Sequence, residues 1–524
     1  MTRCVRCRAL GSPERPGRKV CVVGGGVGGM CTAGLLSKRG FRDVTLIEQN
    51  TELGGRMVSS EIDGYRFDTG PSLLLFPSTY LEMFEALGVS DVELKQIHPA
   101  GYRIFFGGGS SGCDDALDLL WDVDDMAAQY ESREHGAGDR YREFLKFARN
   151  ALELGMPNFI EKDLSKIDAK SLMDLLPQAM SINPLELLVP LDLLLRRYFK
   201  SARLRQAFTF QTLYVGLTPY NAPGVFSLLA ATELTDGVWY PIGGFQQVRD
   251  GIEKAIRKLG VNVQTGLQVE GIVVEDGRVV GVRTANGVMD ADIVVCNRDL
   301  ADSYGLIEGD EGAVVYAEEK EQRLGRLHYS TGVISYLFCV NKKVDGLLHH
   351  NVFINERNPK EAWRPARAAK ELPRYPNFYV HVPSKTDPTA APPGHESIMV
   401  LLPVANMKDL SSMDSYEELV STGREFVLEF MAEATGQDFE TSIVSERTID
   451  PVEWRQRYGL KYGAAFGLSH GLDQLSLFRP PAEESNISGL FFAGASTRPG
   501  NGVPLVMIGS RLVSERIAEI YNDP

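Results

Sequence analysis

Gly24, Gly26 and Gly29, in VCVVGGGVGGM, form a G-x-G-x-x-G turn between an apolar strand and a helix start, with Gly28 among them. Gly24 permits the tight turn, Gly26 lets backbone approach a pyrophosphate, and Gly29 allows close helix–strand packing. A phosphate would sit on the exposed N–H groups and positive dipole of that helix start. Glu48 ends the next strand, DVTLIE, where a carboxylate can accept hydrogen bonds from ribose hydroxyls. A tight turn with no nucleotide is the plainer alternative, and it gives Glu48 no role.

The following ELGGRM brings Gly55 and Arg56, further backbone donors and a fixed cation, back to the same pyrophosphate. A nicotinamide site has no need of that second contact, whereas a permanently held flavin dinucleotide does. Small residues return in FDTGPSL, with Gly70, Pro71 and Ser72, and in FFAGASTRPGNGVP, with Gly494, Gly502 and Val503. One extended FAD would join them, its adenosine end at the first turn and Glu48, its ring near the last loop. No second G-x-G-x-x-G follows a strand between them, so no separate NAD(P)H site is evident.

Three residues are candidates for the reaction itself. Arg498, in GASTRPGNG, could stabilise an anionic reduced flavin, or it could pair with a surface carboxylate. Glu233 and Asp236, in TELTDGVWYP, lie in an apolar setting where burial would raise a carboxyl pKa and yield an acid or base, with helix capping as the alternative. GLSHG at 467–471 matches a nucleophile elbow in letters only. It lacks the strand-to-helix frame and the ordered partners of a serine hydrolase.

The elements that must carry these residues follow from periodicity. KVCVVGG, GGMCTAGLLSKRG and DVTLIEQ read strand, helix, strand, one βαβ unit. GGFQQVRDGIEKAIRKLG has helical spacing, and the stretch to Asn297 then reads as short strands with hairpin turns at EDGR and ANGV. Residues 126–200 look helical, and 330–480 mix apolar strands with one helix near 415–434. The class expected is α/β: a Rossmann-type FAD-binding domain with a parallel sheet, a β-meander and helices, plus a discontinuous α+β substrate domain with a mixed sheet and a helical, membrane-facing part. The boundaries expected are a tail at 1–18, an FAD-binding domain from 19–100, 236–300 and 481–524, and a substrate domain from 101–235 and 301–480.

With 524 residues, 44% of them apolar, the chain can bury a large core. Its formal charge of −14, from 55 Lys and Arg against 69 Asp and Glu, argues against a nucleic-acid partner. Seven cysteines are too few and too odd in number for a disulfide scaffold. Cys4 and Cys7 form one CxxC with no second pair, so no metal site is assigned. The basic stretch MTRCVRCRALGSPERPGRK reads as an organelle-targeting remnant or an ordinary tail. The longest uncharged run, 206–232, is broken by Gly216, Pro219, Pro223 and Gly224, so no transmembrane helix is expected. The leucine-rich 172–195 stretch is core or a monotopic patch, and Arg196, Arg197, Lys200, Arg203 and Arg205 behind it could meet anionic headgroups.

Together, GGGVGG, LGGRM, YRFDTGPSLLLFP, TPYNAPGVFSLLAATELTDGVWYPIGGF, FYVHVPSKTDPTAAPPGHESIMVLLPV, YGAAFGLSHGLDQLSLFRP and FFAGASTRPGNGVP resemble the bacterial and fungal type of phytoene desaturase. That type belongs to the carotenoid desaturase and isomerase family of flavin amine oxidase-like proteins. The resemblance covers nearly everything after residue 19. It implies FAD, a long apolar carotenoid substrate and peripheral attachment to a membrane surface, in a plastid if the source is an alga and on a cytoplasmic face otherwise. Gly24, Gly26, Gly29, Glu48, Gly55, Arg56, Gly70, Gly494 and Gly502 carry over as cofactor positions, and Val269 with them. Arg498 stands where many such desaturases have histidine, which bears on the reaction more than on the cofactor. The leading expectation is polyene desaturation by hydride transfer to flavin, with a quinone or oxygen as electron acceptor. Isomerisation or hydration of a carotenoid by reduced FAD is the second, motivated by Arg498, Glu233 and Asp236. A flavin-free prenyl-binding protein of the GDP-dissociation-inhibitor type is the third.

Overall fold

A computed structural model describes residues 17–108, 116–166, 183–413 and 415–521. Residues 1–16, with the Cys4 and Cys7 pair, and the 172–182 half of the leucine-rich stretch lie outside the described residues.

Strand Lys19–Val23 runs parallel to Asp43–Ile47, with Val20 beside Val44 and Val22 beside Leu46. Helix Val27–Lys38 connects the two. The sheet has five parallel strands in the order Leu490–Phe492, Ile293–Cys296, Lys19–Val23, Asp43–Ile47 and Asn262–Gln264. Their cores, such as VCVV, IVVC and LFF, are almost continuously apolar because a parallel sheet is buried on both faces. Chain from three distant regions builds this one sheet. Helix Val503–Tyr521 closes it by packing on helix Val27–Lys38, where the Ser510 hydroxyl donates to the Gly28 carbonyl at 3.0 Å. A β-carbon on Gly28 would lie 3.0 Å from Val506 Cγ1, so the small residue sets that approach.

Beside it, Val269–Glu275, Arg278–Thr284 and Gly287–Asp290 form the meander, turning at EDGR and ANGV. Ile307–Gly309 adds a parallel fourth strand. A second body is built on a seven-stranded mixed sheet. Its order is Ile443–Ile449, Gly332–Val340, Glu396–Val404, Phe378–His381, His350–Asn355, Ala100–Gly107 and Leu117–Leu120. All neighbours are antiparallel except His350–Asn355 with Ala100–Gly107. Helix Ser415–Thr435 covers one part of this sheet. Helices Val123–Arg133, Ala137–Gly155 and Leu191–Tyr198 enclose an aromatic cluster of Tyr130, Tyr141, Phe144, Phe199 and Phe208. No described helix is long and apolar enough to cross a membrane.

Candidate active site

The first glycine turn and the final loop share one cavity. Gly24, Gly26 and Gly28 line it together with Glu48, Gly55, Arg56, Gly70, Val269, Gly494, Gly502 and Val503, around a volume of about 300 Å³. Gly29 lies behind this wall, where a β-carbon would sit 2.0 Å from the Gly24 carbonyl oxygen. That is the close helix–strand contact for which its lack of a side chain is needed. The buried Glu48 carboxylate is fixed by Gly25 N–H at 2.7 Å and by the Asn50 backbone and side-chain N–H groups at 2.8 and 2.9 Å. Residue pair Gly26 and Gly54 bridges in parallel, and Gly54 N–H donates to the Gly25 carbonyl at 2.8 Å. The ELGGRM segment is thereby bound to the turn. Arg56 donates to the Ala465 carbonyl at 2.8 Å. Burial pulls its pKa down, and the Asp299 carboxylate opposes that. At Gly70 a β-carbon would stand 2.0 Å from the Arg56 carbonyl oxygen, so any side chain there pushes the two segments apart.

A second cavity of about 520 Å³ abuts the first and shares Gly70, Pro71, Gly502 and Val503 with it. Its walls are largely aliphatic and aromatic, including Leu75, Phe76, Phe210, Leu213, Phe226 and Leu229. At its outer end stand Leu188 and Leu472, which are 53% and 46% exposed. Leu185, Leu193, Leu477 and Phe478 near them in sequence are also exposed. An apolar channel thus runs from the glycine-lined slot to an apolar surface.

Glu233 sits on helix Ser227–Thr235, fully buried. Its carboxyl accepts from Tyr102 hydroxyl at 3.1 Å and Gln211 Nε2 at 2.8 Å, and burial pushes its pKa up to about 8. Tyr102 also bonds the Tyr214 hydroxyl at 3.0 Å, and Tyr214 lines the apolar cavity. Glu233 therefore reaches the channel through two tyrosines. Asp236 shares the direction of this shift, since partial burial raises its pKa too, but not the enclosure. It is exposed at the end of the same helix and lines neither cavity, because the helix has already left the core at Thr235.

Arg498 requires a similar correction. Its guanidinium donates to the carbonyls of Arg479 at 3.0 Å and Leu477 at 2.6 Å, and the side chain lines neither cavity. It fastens the final loop to the 472–479 segment rather than facing the slot. Ser72, by contrast, is buried on the apolar cavity wall and bonds Tyr379 hydroxyl at 2.9 Å. Of the five basic residues behind the leucine-rich stretch, Arg196 pairs with Asp192, Arg197 with Glu186 and Arg203 with Glu356. Arg205 donates to backbone carbonyls of Phe199 and Lys200. The apolar side chains, more than these cations, make the exposed surface distinctive.

Two residues that sequence reasoning passed over organise the slot. Asn297 follows strand Ile293–Cys296, and its Nδ2 donates to the Gly24 carbonyl at 3.2 Å. A β-carbon on Gly494 would lie 3.1 Å from its Oδ1, so one side chain spans the two ends of the chain. Its position directly after an all-apolar strand was the available signal. Arg479 is 1% exposed and donates to the carbonyls of Leu468, Ser469, Gln474, Ala495 and Thr497. Burial lowers its pKa to about 9. No motif marked it.

The profile of the flavin containing amine oxidoreductases matches residues 27–517. The chain is 34% identical over 525 residues to the phytoene desaturase of Fusarium fujikuroi, covering 95% of this chain and 89% of that protein. It is 33% identical over 512 residues to the zeta-carotene-forming phytoene desaturase of Myxococcus xanthus, covering 97% and 95%. Among solved structures, an oxidoreductase from Methanosarcina mazei superimposes with a TM-score of 0.64 at 17% identity, over 95% of this chain and all of that one. This chain belongs to the flavin containing amine oxidoreductase family and, within it, to the carotenoid desaturases.

Proposed function

We propose that this protein is an FAD-dependent desaturase of a long carotenoid polyene. The observation that carries the reading is the continuity of a glycine-walled slot with an apolar channel through Gly70, Pro71, Gly502 and Val503. The residues present fit a flavin dinucleotide. Backbone N–H groups at the start of helix Val27–Lys38 suit a pyrophosphate, the Glu48 carboxylate suits ribose hydroxyls, and Arg56 adds a cation at the same wall. When bound, oxidised flavin accepts a hydride from a saturated carbon.

The chain's own contribution is alignment and dryness. Aliphatic and aromatic walls hold an extended apolar substrate by burial, at about 25 cal/mol per Å² of apolar surface, and exclude water from the reacting carbons. Glu233, kept protonated at neutral pH by burial, links to the channel wall through Tyr102 and Tyr214. The exposed Leu188 and Leu472 at the channel mouth, with Phe478 near them in sequence, would dip into one leaflet, giving a lipid-soluble substrate an entrance and making the protein a peripheral membrane enzyme. A quinone or oxygen would take the electrons. We divide the chain into an FAD-binding domain of 19–100, 236–300 and 481–524 and a substrate domain of 101–235 and 301–480, except that strand Ile307–Gly309, paired with the meander, goes with the first.

The isomerase or hydratase reading loses its main support because Arg498 faces the 472–479 segment. A flavin-free prenyl-binding protein gives no role to the fixed Glu48 and the bridged glycine segments. The test is incubation of the flavin-loaded protein in liposomes with phytoene, oxidised with a quinone and, separately, dithionite-reduced without oxygen. Product lighter by two hydrogens only in the oxidised arm supports the reading. Product of unchanged mass, or gain of water, in the reduced arm overturns it.

A further inference from the structure

Desaturation, as proposed above and presupposed here, removes two hydrogens from neighbouring carbons. One leaves with the electron pair to oxidised flavin, and the other leaves as a proton inside an apolar channel. A bare charge in such surroundings is costly, so the proton needs a way out. Glu233, already protonated at neutral pH because burial raises its pKa to about 8, cannot take it up and offers no exit. Both of its oxygens are bonded to buried side chains, Tyr102 and Gln211.

A different chain of groups leads from the channel wall to the surface. Ser72 and Tyr379 both line the channel, and their hydroxyls are 2.9 Å apart. Tyr379 hydroxyl lies 2.7 Å from His350 Nδ1. His350 faces His381 directly across the antiparallel pair of strands His350–Asn355 and Phe378–His381, with their rings stacked at 19°. His381 Nε2 lies 3.0 Å from His349 Nε2, and His349 Nδ1 lies 2.7 Å from the hydroxyl of Thr386, a half-buried residue beside exposed Lys385. All three histidines are buried.

One break interrupts the chain, between His350 and the other two rings. On its two sides are the ring nitrogens that lack a partner, His350 Nε2 and His381 Nδ1. A buried polar nitrogen without a partner costs about 1–3 kcal/mol, so one on each of two stacked rings needs a reason. One nitrogen from each of the three rings lies within 4.8 Å of the other two, close enough for one water or one ring rotation to link the rings. Neutral imidazole carries one N–H and one lone pair, so it can receive a proton at one nitrogen and release one at the other. Burial holds all three rings in that neutral form.

We propose that Ser72, Tyr379, His350, His381, His349 and Thr386 form a proton exit from the substrate channel to the protein surface. Tyr379 and Ser72 are its channel end, and the histidines are its relay.

The first test needs no substrate. Solvent exchange of the His350 ring proton is measured by NMR on full-length, flavin-loaded protein labelled with ¹⁵N-histidine, in the wild type and in His349→Phe and Thr386→Val. Rapid exchange in the wild type, slowed about tenfold or more in either variant, is expected. Slow exchange in the wild type overturns the proposal even if no variant folds. So does a transition metal bound at one per chain by the three rings, since a ligated nitrogen passes no proton. The second test is desaturation of phytoene in liposomes by His350→Gln, which retains a hydrogen-bonding amide but cannot relay. A tenfold or larger fall in kcat with KM unchanged, and a larger solvent deuterium effect, are expected; an unchanged kcat overturns the exit. A wild type with fast exchange that leaves phytoene untouched overturns the desaturase reading itself, and with it the purpose given to this route.

Discussion

Replacing Glu233 by Gln should change stability by an amount that grows steadily with pH. Burial raises the Glu233 pKa from the ordinary 4.5 to about 8. At about 1.4 kcal/mol per pH unit, that gap amounts to about 5 kcal/mol. The sign follows from which state binds the proton. Folded protein keeps the carboxyl protonated up to about pH 8, whereas the unfolded chain releases the proton above about pH 4.5. The contribution of this group to stability is therefore fully present below pH 4.5, is lost as pH rises toward 8, and is level beyond. Gln has the same shape, can still bond Tyr102 and Gln211, and cannot ionise. Between pH 5 and pH 8 the variant should gain about 3–4 kcal/mol on the wild type. The assay is urea unfolding of both flavin-loaded proteins at pH 5, 6, 7 and 8, followed by tryptophan fluorescence. Taking the difference between variant and wild type cancels every other titrating group. A difference that stays constant within about 0.5 kcal/mol across this range, roughly the scatter of additive mutations, would show a hydrated, ionised Glu233 and refute the buried network.

Other expectations concern the slot and the mouth. Gly70→Ala puts a methyl 2.0 Å from the Arg56 carbonyl oxygen, and the resulting strain of about 1–3 kcal/mol should weaken flavin retention by about 5-fold to 150-fold, read by absorbance after gel filtration. Asn297→Ala removes the donor to the Gly24 carbonyl, and a loss of about 1 kcal/mol should appear as a several-fold weaker flavin affinity by fluorescence titration. Arg498→Ala should loosen the 472–479 segment to proteolysis while leaving the flavin potential in place. A change above about 30 mV, equivalent to about 1.4 kcal/mol for two electrons, would return this cation to the flavin's side. Leu188→Glu with Phe478→Glu should lower liposome co-sedimentation at least tenfold, since each buried apolar side chain contributes about 1.5–3 kcal/mol.

What could be read without coordinates was set by local sterics and by period. Gly24, Gly26 and Gly29 declare a turn because of their spacing, and VCVV, IVVC and LFF declare a parallel sheet because nothing polar interrupts them. Glu233 could be singled out as a carboxyl within an apolar helix, but Asp236, three residues on, could not be separated from it before the helix end was placed. Arg498 was misleading because a cation in a glycine-rich loop reads alike whether it points into a slot or across to Leu477 and Arg479. His349, His350 and His381 gave no signal at all. They meet only through the register of strands whose pairing no short-range pattern encodes. Asn297 and Arg479 are of the same kind, since each acts on carbonyls brought together from distant segments.

Because the slot has one wall at residues 24–29 and another at 494–503, a chain emerging from the ribosome has no complete place for its coenzyme until residue 503 is made. Loading must await that segment, and the outermost strand of the parallel sheet must wait with it, since Leu490–Phe492 supplies that edge. Until then Ile293–Cys296 presents an unpaired, wholly apolar border. Coenzyme supply in the cell should accordingly govern how much of this protein survives to become active, and a chain truncated after residue 489 should be found colourless and aggregated.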